Sequence, residues 1–286
     1  MSADPGERVD LVINVFERTY RHGLAAETIG AVRDANRFPF AGCVALINNV
    51  DDRLDAERRA RALLERHLID SYHFVADRIQ PALEQVKLSV EDLEPLLHYS
   101  DAPIVAATLP GSPWMLYWDP EAQLAEPFDW ITPALELLRA DPRVMVANPS
   151  WEAPDGAGRR PGVERETAQM SGEFALGPGF SDQVFLAARA ELAAPIYGQR
   201  CIGSLAYPTA HRAQIFEARV GAHMRHHGRV RATSTAASYL TSSPAGGSSY
   251  RPAGPLEAVR YVRNALVVRA LRASPWRPRC LRNTWL

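Results

Sequence analysis

The feature that most constrains the fold of this chain is an alternation of short apolar runs with longer segments of helical periodicity. The predicted strands are Val9–Phe16, Ala41–Ile47, Asp70–Ala76, Trp114–Trp118, Arg143–Ala147, Gln183–Ala188 and Arg229–Thr235, and Pro103–Leu109 is a further apolar run. The predicted helices are Ala25–Asn36, Leu54–His67, Trp130–Arg139, Ala213–His227 and Leu256–Arg272, with one or two more in Pro81–Leu97. Strands that alternate with helices of about ten or more residues are typical of βαβ units. We therefore expect an α/β fold with a mostly parallel central sheet flanked by helices.

The composition argues against several classes of protein. The net charge of the 286 residues is -1, which does not suit a protein that binds nucleic acid through bulk electrostatics. Cys43, Cys201 and Cys280 are odd in number and far apart, which argues against a disulfide framework or a Cys-based zinc site and suits a reducing compartment. The polar N-terminus does not resemble a signal peptide, and no apolar window is long enough to predict a membrane span. We expect a cytoplasmic protein.

A pair of acids directly follows the predicted strand Trp114–Trp118. Asp119 and Glu121 flank Pro120, which cannot continue a strand ladder. Open α/β sheets bind their ligands at the carboxyl ends of the strands. Side chains at i and i+2 of an extended segment lie on the same side, so both carboxylates can reach one hard cation that holds a diphosphate. The alternative is a surface turn with solvated acids.

The glycine signatures of the common nucleotide-binding folds are missing from the sequence. The first predicted strand is followed by ERTYRHG, which is neither G-x-G-x-x-G nor a P-loop. The sequence also lacks the G-x-S-x-G motif of the α/β-hydrolases. A nucleotide site without these glycines needs a metal to neutralise the phosphates, which favours the metal-binding role of Asp119 and Glu121.

The order of these parts resembles the GT-A-fold nucleotide-sugar glycosyltransferases, in particular the large inverting family that builds bacterial glycans. VINVFERTY has the place of that family's first strand and turn, and ALINNVDD has the place of the second strand and its nucleotide-binding acids. MLYWDPE has the place of the D-x-D-like metal motif, and the helix that carries Glu217 and ends at Gly228 has the place of the helix with the catalytic acid. The resemblance covers roughly residues 9–240 and is one of order and spacing.

The resemblance implies a set of site residues. It places Mn²⁺ or Mg²⁺ at Asp119 and Glu121. It places the nucleotide at Phe16, Glu17, Asn48, Asn49 and Asp51. Trp118 joins this set as a residue beside Asp119 that lines the sugar pocket, with packing in the core as its alternative.

The sequence departs from the pattern of the family at three points. The usual aspartate after the second strand is Asn48 or Asn49 here, and an amide can still accept from and donate to a base edge. The metal motif is D-x-E rather than D-x-D, which keeps two carboxylates. The frequent late metal-binding histidine would fall near Tyr239–Ser242, where the sequence has none.

Two acids are candidates for the catalytic base. Inverting transfer needs a group that takes the proton of the acceptor hydroxyl as the hydroxyl attacks the anomeric carbon. Glu217 has the family's position by its spacing to Gly228, and its alternative is a solvated helix residue paired with Arg219 or Arg225. Asp182, just before a predicted strand, is the rival base or an acceptor contact.

The chain divides into three parts by composition. Residues 1–241 form the GT-A-like catalytic domain, in which residues 150–179 are rich in Pro, Gly, Arg and Glu and predict a long loop or lid. Residues 242–254, with the stretch SSPAGGSS, predict a flexible linker. Residues 255–286 predict a basic helical tail.

The tail has the pattern of a basic amphipathic helix. Val259, Val262, Leu266 and Val267 recur at roughly helical spacing beside the tail's arginines: Arg260, Arg263, Arg269, Arg272, Arg277, Arg279 and Arg282. With Trp276 and Trp285 nearby, this pattern is typical of peripheral contact with an anionic membrane. The alternative is that the apolar stripe docks on the catalytic domain or on a second subunit of a homodimer.

We interpret the sequence as that of a metal-dependent, inverting glycosyltransferase. Its predicted partners are a nucleotide-diphosphate sugar donor and a hydroxyl-bearing acceptor, either a glycan, a lipid-linked group or a small molecule. The alternatives are a nucleotidyltransferase and a non-catalytic binding protein with a degenerate transferase fold.

Overall fold

The computed structural model describes residues 8–153, 157–206, 212–241, 254–275 and 279–281. Ten strands within these ranges form one sheet. The strands are β1 (Val9–Val15), β2 (Gly42–Ile47), β3 (Ser71–Phe74), β4 (Trp114–Trp118), β5 (Ala122–Leu124), β6 (Val144–Trp151), β7 (Gln169–Ser171), β8 (Phe174–Gly177), β9 (Val184–Ala188) and β10 (Val230–Thr241). Each predicted strand coincides with one of these ten, and β6 and β10 continue beyond their predicted ends.

The strand order of the sheet is β3-β2-β1-β4-β9-β6-β10-β8-β7, with β5 paired to the end of β10. β1 runs parallel to β2 and β4, β2 runs parallel to β3, and β10 runs parallel to β6. β9 is antiparallel to both of its neighbours, β4 and β6. All the parallel strands therefore end at one edge of the sheet, which is the edge where open α/β folds bind their ligands.

Helices cover both faces of the sheet. They are α1 (Tyr20–Gly23), α2 (Ala26–Asn36), α3 (Arg53–Glu65), α4 (Ile79–Val86), α5 (Asp101–Thr108), α6 (Ile131–Ala140), α7 (Pro161–Glu166), α8 (Arg189–Leu192), α9 (Phe216–His226) and α10 (Pro255–Ala273). Successive residues of β1 point to opposite faces, so Leu11 and Ile13 belong to one buried cluster and Val12 to the other. α2, α3 and α6 complete the first cluster, and α4, α5 and α9 complete the second.

The apolar run Pro103–Leu109 forms most of α5. All residues from Asp101 to Ala107 are buried, so this helix has no polar face. An apolar run without a polar face has no helical periodicity and cannot be told from a buried strand by its pattern. The hydroxyl of Ser100 accepts a hydrogen bond from the backbone N–H of Phe216 at 2.8 Å, which joins the starts of α5 and α9.

The segment 150–179, predicted as a long loop, contains regular structure. It includes α7, and β7 and β8 form a hairpin whose second strand is antiparallel to β10. Residues 154–156 lie outside the described ranges. The two strands were not predicted because the segment is polar in composition: β7 is largely solvent-exposed, and only β8 is buried.

The C-terminal extension is helical, as expected, and contacts the 3-10 helix Ile202–Ala206. Asn264 and Val268 are the buried residues of α10. The predicted apolar stripe does not dock on the catalytic domain: Val259, Val262 and Leu266 are 54–65% exposed. Residues 242–253, which hold most of the predicted linker, and residues 276–278 and 282–286, which hold Trp276, Arg277, Arg282 and Trp285, lie outside the described ranges.

One expectation about the cysteines is corrected. Cys201 and Cys280 form a disulfide, while Cys43 is free and buried. Their separation of 79 residues gives no local signal, because the fold brings the 3-10 helix Arg279–Leu281 back against Cys201. The cysteines therefore no longer support a reducing compartment. Among the described helices, none combines the length and apolar character that a membrane span requires.

Candidate active site

A cleft of about 890 Å³ opens at the carboxyl ends of the parallel strands. Its lining comes from the ends of β1, β2 and β4, from the segment that leads into β9, from the start of α9 and from β10. Seven of the ten site residues predicted from the sequence line this cleft: Phe16, Asn48, Asn49, Asp119, Glu121, Asp182 and Glu217. The strand order explains this convergence, because neighbouring parallel strands deliver their C-terminal residues to one place.

The turns after β1 and β2 form one end of the cleft. The Phe16 backbone N–H donates to the Thr19 hydroxyl at 3.0 Å, which tightens the turn after β1. The Arg18 guanidinium lies 5.4 Å from the centre of the Phe16 ring. Glu17 and Asp51 lie outside the cleft lining, and the Asp51 backbone N–H donates to the Glu17 carboxylate at 2.8 Å. These two predicted residues therefore link the two turns to each other.

The structure corrects the prediction for Trp118. Its side chain is 1% exposed in the first core cluster, and its indole N–H donates to the Ala122 carbonyl at 3.0 Å. The preceding residue, Tyr117, lines the cleft instead and stacks on Phe185 with ring centres 5.0 Å apart. The reason is the alternation of side chains along a strand, which sends neighbours to opposite faces of the sheet.

Asp119 and Glu121 lie at the end of β4. The Glu121 backbone N–H donates to Asp119 Oδ1 at 2.9 Å, and the Asp119 N–H donates to the Gln183 carbonyl at 2.8 Å. These bonds hold the turn that brings both carboxylates to the cleft. Burial raises the pKa of Asp119 to about 7, and the negative charges of Glu121 and Asp182 act in the same direction. The carboxylates of Asp119, Glu121 and Asp182 are thus close enough for their charges to act on one another, and Arg18 opposes their effect on Asp119.

Asp182 and Glu217 form a second acidic pair in the cleft. Burial raises the pKa of both carboxyl groups, and the charge of Asp182 raises the pKa of Glu217 further. The positive charge of Arg231 acts in the opposite direction and lowers the pKa of Glu217. Its Nη2 atom lies 2.7 Å from the Glu166 carboxylate, so part of its charge is already matched. A carboxylate with a raised pKa is a stronger proton acceptor than an ordinary one, which suits a catalytic base.

Several lining residues were not predicted from the sequence. Asn48 donates through its amide to the buried Asp101 carboxylate at 2.7 Å, and His98 Nδ1 lies 2.8 Å from the other oxygen of the same carboxylate. The hydrogen bond to Asp101 raises the pKa of His98. The Asn14 side-chain oxygen is buried at the cleft with no hydrogen-bond partner in the structure. A polar residue inside the apolar strand β1 was the available signal for Asn14, whereas nothing local marks Asp101.

The sequence matches no protein-family model and no curated protein. The structure is similar to the crystal structure of GalNAc-T7 with UDP, GalNAc and Mn²⁺, with a TM-score of 0.51 and 10% identity over 92% of this chain and 48% of that chain. The chain has the GT-A fold. It spans about half of the GalNAc-T7 chain, so the similarity concerns one part of that protein.

Two further solved structures with lower TM-scores also match. Glucosyl-3-phosphoglycerate synthase from Mycobacterium tuberculosis has a TM-score of 0.41 and 12% identity over 92% of this chain and 80% of that chain. Mouse xyloside xylosyltransferase 1 has a TM-score of 0.38 and 17% identity over 75% and 81%. At 10% identity the similarity to GalNAc-T7 concerns the fold alone.

Within the GT-A fold the acids at the end of β4 are compatible with a divalent cation. Across the described residues, no group of three or more His, Cys, Asp and Glu side chains is arranged to hold a metal by itself. Mg²⁺ is usually held by one or two carboxylates together with waters and phosphate oxygens, so a protein-only cage is not required. Asp119 and Glu121 provide such a pair in the cleft. At the position expected for a late histidine, Tyr239 and Thr241 line the cleft.

Proposed function

We propose that this protein is a glycosyltransferase that moves a sugar from a nucleotide-diphosphate donor to a hydroxyl acceptor with inversion at the anomeric carbon. The observation that carries the proposal is the convergence of Asp119, Glu121, Asp182 and Glu217 in one cleft at the carboxyl ends of the strands. The GT-A neighbour GalNAc-T7, solved with UDP, GalNAc and Mn²⁺, supports this class of donor. An acceptor with a free hydroxyl follows from the presence of a candidate base.

The donor nucleotide is proposed to lie over the ends of β1 and β2. Phe16 offers a ring for stacking, and Asn48 and Asn49 offer amide groups for hydrogen bonds to the base and ribose. Because Asp101 accepts from the amide nitrogen of Asn48, the amide oxygen of Asn48 remains as the group for the ligand. Asp119 and Glu121 would hold Mn²⁺ or Mg²⁺ against the diphosphate, and the ion would stabilise the charge of the leaving group.

Glu217 is proposed as the base that accepts the proton of the acceptor hydroxyl, with Asp182 as its rival. Both carboxylates lie in the cleft beyond the acids of β4, where the sugar of a donor held at β1, β2 and β4 would end. Direct displacement by an activated hydroxyl inverts the anomeric carbon, since the hydroxyl attacks opposite the leaving diphosphate. No covalent intermediate on the protein is needed.

Segment 150–179 is proposed to act as a wall that closes over the donor. Trp151, Gly162, Val163, Glu166 and Gly179 of this segment line the cleft. Ordering such a wall over bound donor would keep water away from the anomeric carbon and reduce wasteful hydrolysis.

The exposed face of α10 is proposed to rest on an anionic bilayer. Leu256, Val259, Val262 and Leu266 follow one another at intervals of three or four residues and are 54–77% exposed. The helix carries one acid, Glu257, and four arginines: Arg260, Arg263, Arg269 and Arg272. Its net charge is therefore positive, which favours contact with a negatively charged surface. Co-sedimentation with phosphatidylglycerol vesicles that weakens with salt supports this, and equal binding by a Val262→Asp/Leu266→Asp protein contradicts it.

A thermal-shift screen tests the donor and metal assignments. UDP-, GDP-, CDP- and dTDP-linked sugars are added with and without Mn²⁺, and a ligand present at 100-fold its dissociation constant stabilises by about 2.7 kcal/mol. We expect one nucleotide class to stabilise the parent protein only with Mn²⁺. Asp119→Asn and Glu121→Gln should each abolish the Mn²⁺-dependent part without lowering the melting temperature of the ligand-free protein. If both variants bind nucleotide and metal as the parent does, the proposed function is wrong.

A further inference from the structure

Arginines from α9 and α10 line the same cleft as the residues proposed for the nucleotide. Asn48 and Phe16 follow β2 and β1, Asp119 follows β4, and Asp182 precedes β9, which is the order of these strands across the sheet. The arginines are Arg225 and Arg272. A donor that is held by this row of residues leaves the two arginines for the acceptor.

Arg225 lies in the last turn of α9, on the same helix as Glu217. The two residues are eight positions apart, which is about 12 Å along a helix that rises 1.5 Å per residue. A Cβ atom built on Gly179 would lie 3.7 Å from Arg225 Nη2, and one built on Gly203 would lie 3.8 Å from Arg225 Nε. The guanidinium therefore lies close to both the segment before β9 and the 3-10 helix Ile202–Ala206.

Arg272 lines the same cleft from a different helix. Leu271 of α10 packs against a buried cluster that contains Ala222 of α9, together with Cys201 and Cys280. Arg225 follows Ala222 by about one turn, and Arg272 follows Leu271 directly, so each arginine lies close in its own helix to a residue that packs in this cluster, and both line the cleft. The Cys201–Cys280 disulfide closes the same region covalently.

A third arginine, Arg231, also lines the cleft, where its Nη2 atom pairs with the Glu166 carboxylate. It is 8% exposed on β10, and its Nε atom has no hydrogen-bond partner in the structure although it is buried. A Cβ on Gly162 would lie 3.7 Å from its Nη2, so the arginine borders the wall formed by segment 150–179. An unsatisfied buried donor beside a cleft indicates a ligand oxygen that is supplied on binding.

We propose that the acceptor is an anion whose phosphate or carboxylate group is bound by Arg225 and Arg272 while its reacting hydroxyl lies at Glu217. Guanidinium groups match both anions through paired N–H donors, and two of them from different helices fix the direction of the acceptor. Only one part of this proposal, that the bound anion is the acceptor, rests on the proposed transferase function. The anion site itself stands on the arginines.

Binding of a phosphate monoester tests the site. sn-Glycerol 3-phosphate is titrated calorimetrically into the full chain saturated with UDP and Mn²⁺, and glycerol is the neutral counterpart. We expect the phosphate ester to bind and glycerol not to bind. Arg225→Gln and Arg272→Gln should each weaken binding at least about tenfold, as expected for the loss of a hydrogen bond to a charged group. Arg263→Gln, an exposed change on α10 outside the cleft lining, is the matched control and should bind as the parent does.

Co-sedimentation with vesicles distinguishes a soluble anionic acceptor from a lipid headgroup. Phosphatidylcholine vesicles with and without phosphatidic acid are co-sedimented with the parent, with Arg225→Gln and with Arg66→Gln, an exposed change that follows α3 and lies outside the cleft lining. Loss of phosphatidic acid binding in Arg225→Gln but not in Arg66→Gln assigns the anion to a lipid, and equal sedimentation of all three assigns it to a soluble acceptor.

The outcomes also separate this proposal from the transferase assignment. If glycerol 3-phosphate binds through the arginines but UDP with Mn²⁺ does not bind, the anion site stands and the proposed function fails. If the ester fails to bind the parent, or binds Arg225→Gln and Arg272→Gln as tightly as the parent, the anion site is refuted. Arg225→Lys keeps the charge but loses the paired donors, so intermediate binding by this variant shows that any weakening in Arg225→Gln is not a folding defect.

Discussion

Glu217→Gln gives the sharpest test of the proposed chemistry, because glutamine keeps the shape of glutamate and cannot accept the acceptor's proton. Glu217 is the second residue of α9, and it lies in the cleft beside Asp182 and Arg231. A positioned general base contributes about 10² to 10⁴ in rate, which equals about 3 to 5 kcal/mol of transition-state stabilisation. We therefore expect turnover to fall by at least about 10²-fold, while Mn²⁺-dependent binding of the donor nucleotide is kept.

The same substitution should raise the stability of the ligand-free protein. Burial and the charge of Asp182 raise the pKa of Glu217 above its ordinary 4.5, so the folded protein holds this proton more tightly than the unfolded chain does. The unfavourable contribution of Glu217 is therefore absent below pH 4.5 and develops as the pH rises through the folded pKa. Glutamine has no charge to bury, so the variant should melt above the parent at pH 8 and with the parent at low pH.

Turnover is measured as the release of nucleoside diphosphate during hydrolysis of the donor, a reaction in which water takes the place of the acceptor. Thermal melts across the pH range provide the stability. Glu136→Gln, an exposed change on α6, is the matched control and should alter neither quantity. Parental turnover in Glu217→Gln would transfer the role of base to Asp182 or remove it altogether. A lower melting temperature than the parent at pH 8 would refute the electrostatic account of the acidic pair.

Three further predictions concern the nucleotide end and the core. Asn48→Ala should weaken nucleoside diphosphate binding about tenfold in a thermal-shift titration, whereas Asp51→Ala, outside the cleft, should leave binding unchanged. Equal losses of affinity in the two variants would contradict the proposed nucleotide site. Asp101→Asn should lower the imidazole pKa of His98, because the Asp101 carboxylate raises it; an NMR titration midpoint that does not move would contradict this. Arg189→Met should cost about 3 to 5 kcal/mol of unfolding free energy in urea, because it leaves its partner, the buried carboxylate at the start of β1, without a counter-charge; a loss below about 1 kcal/mol would show that this ion pair is dispensable.

The sequence by itself determined the local elements and the class of fold. Val9–Phe16 and Trp114–Trp118 were predicted as strands from short apolar runs, the first of them rich in β-branched residues, and both predictions are confirmed. Leu54–His67 had to be an amphipathic helix, and the carboxylates of Asp119 and Glu121 could be placed at a strand end because Pro120 stops the ladder. These inferences succeed because they depend on residues that are neighbours in the chain.

Only the tertiary structure decided which side chains meet. Asp101 lies 53 residues after Asn48, and no local pattern predicts their 2.7 Å hydrogen bond. Cys201 and Cys280 are joined across 79 residues. Tyr117 rather than Trp118 lines the cleft because of the face of β4 on which each side chain lies. Which face of β4 borders the cleft depends on how the whole sheet packs against its helices. Contacts of this kind are set by the strand order, which minimises exposed apolar area for the entire chain and cannot be computed from any one segment of it.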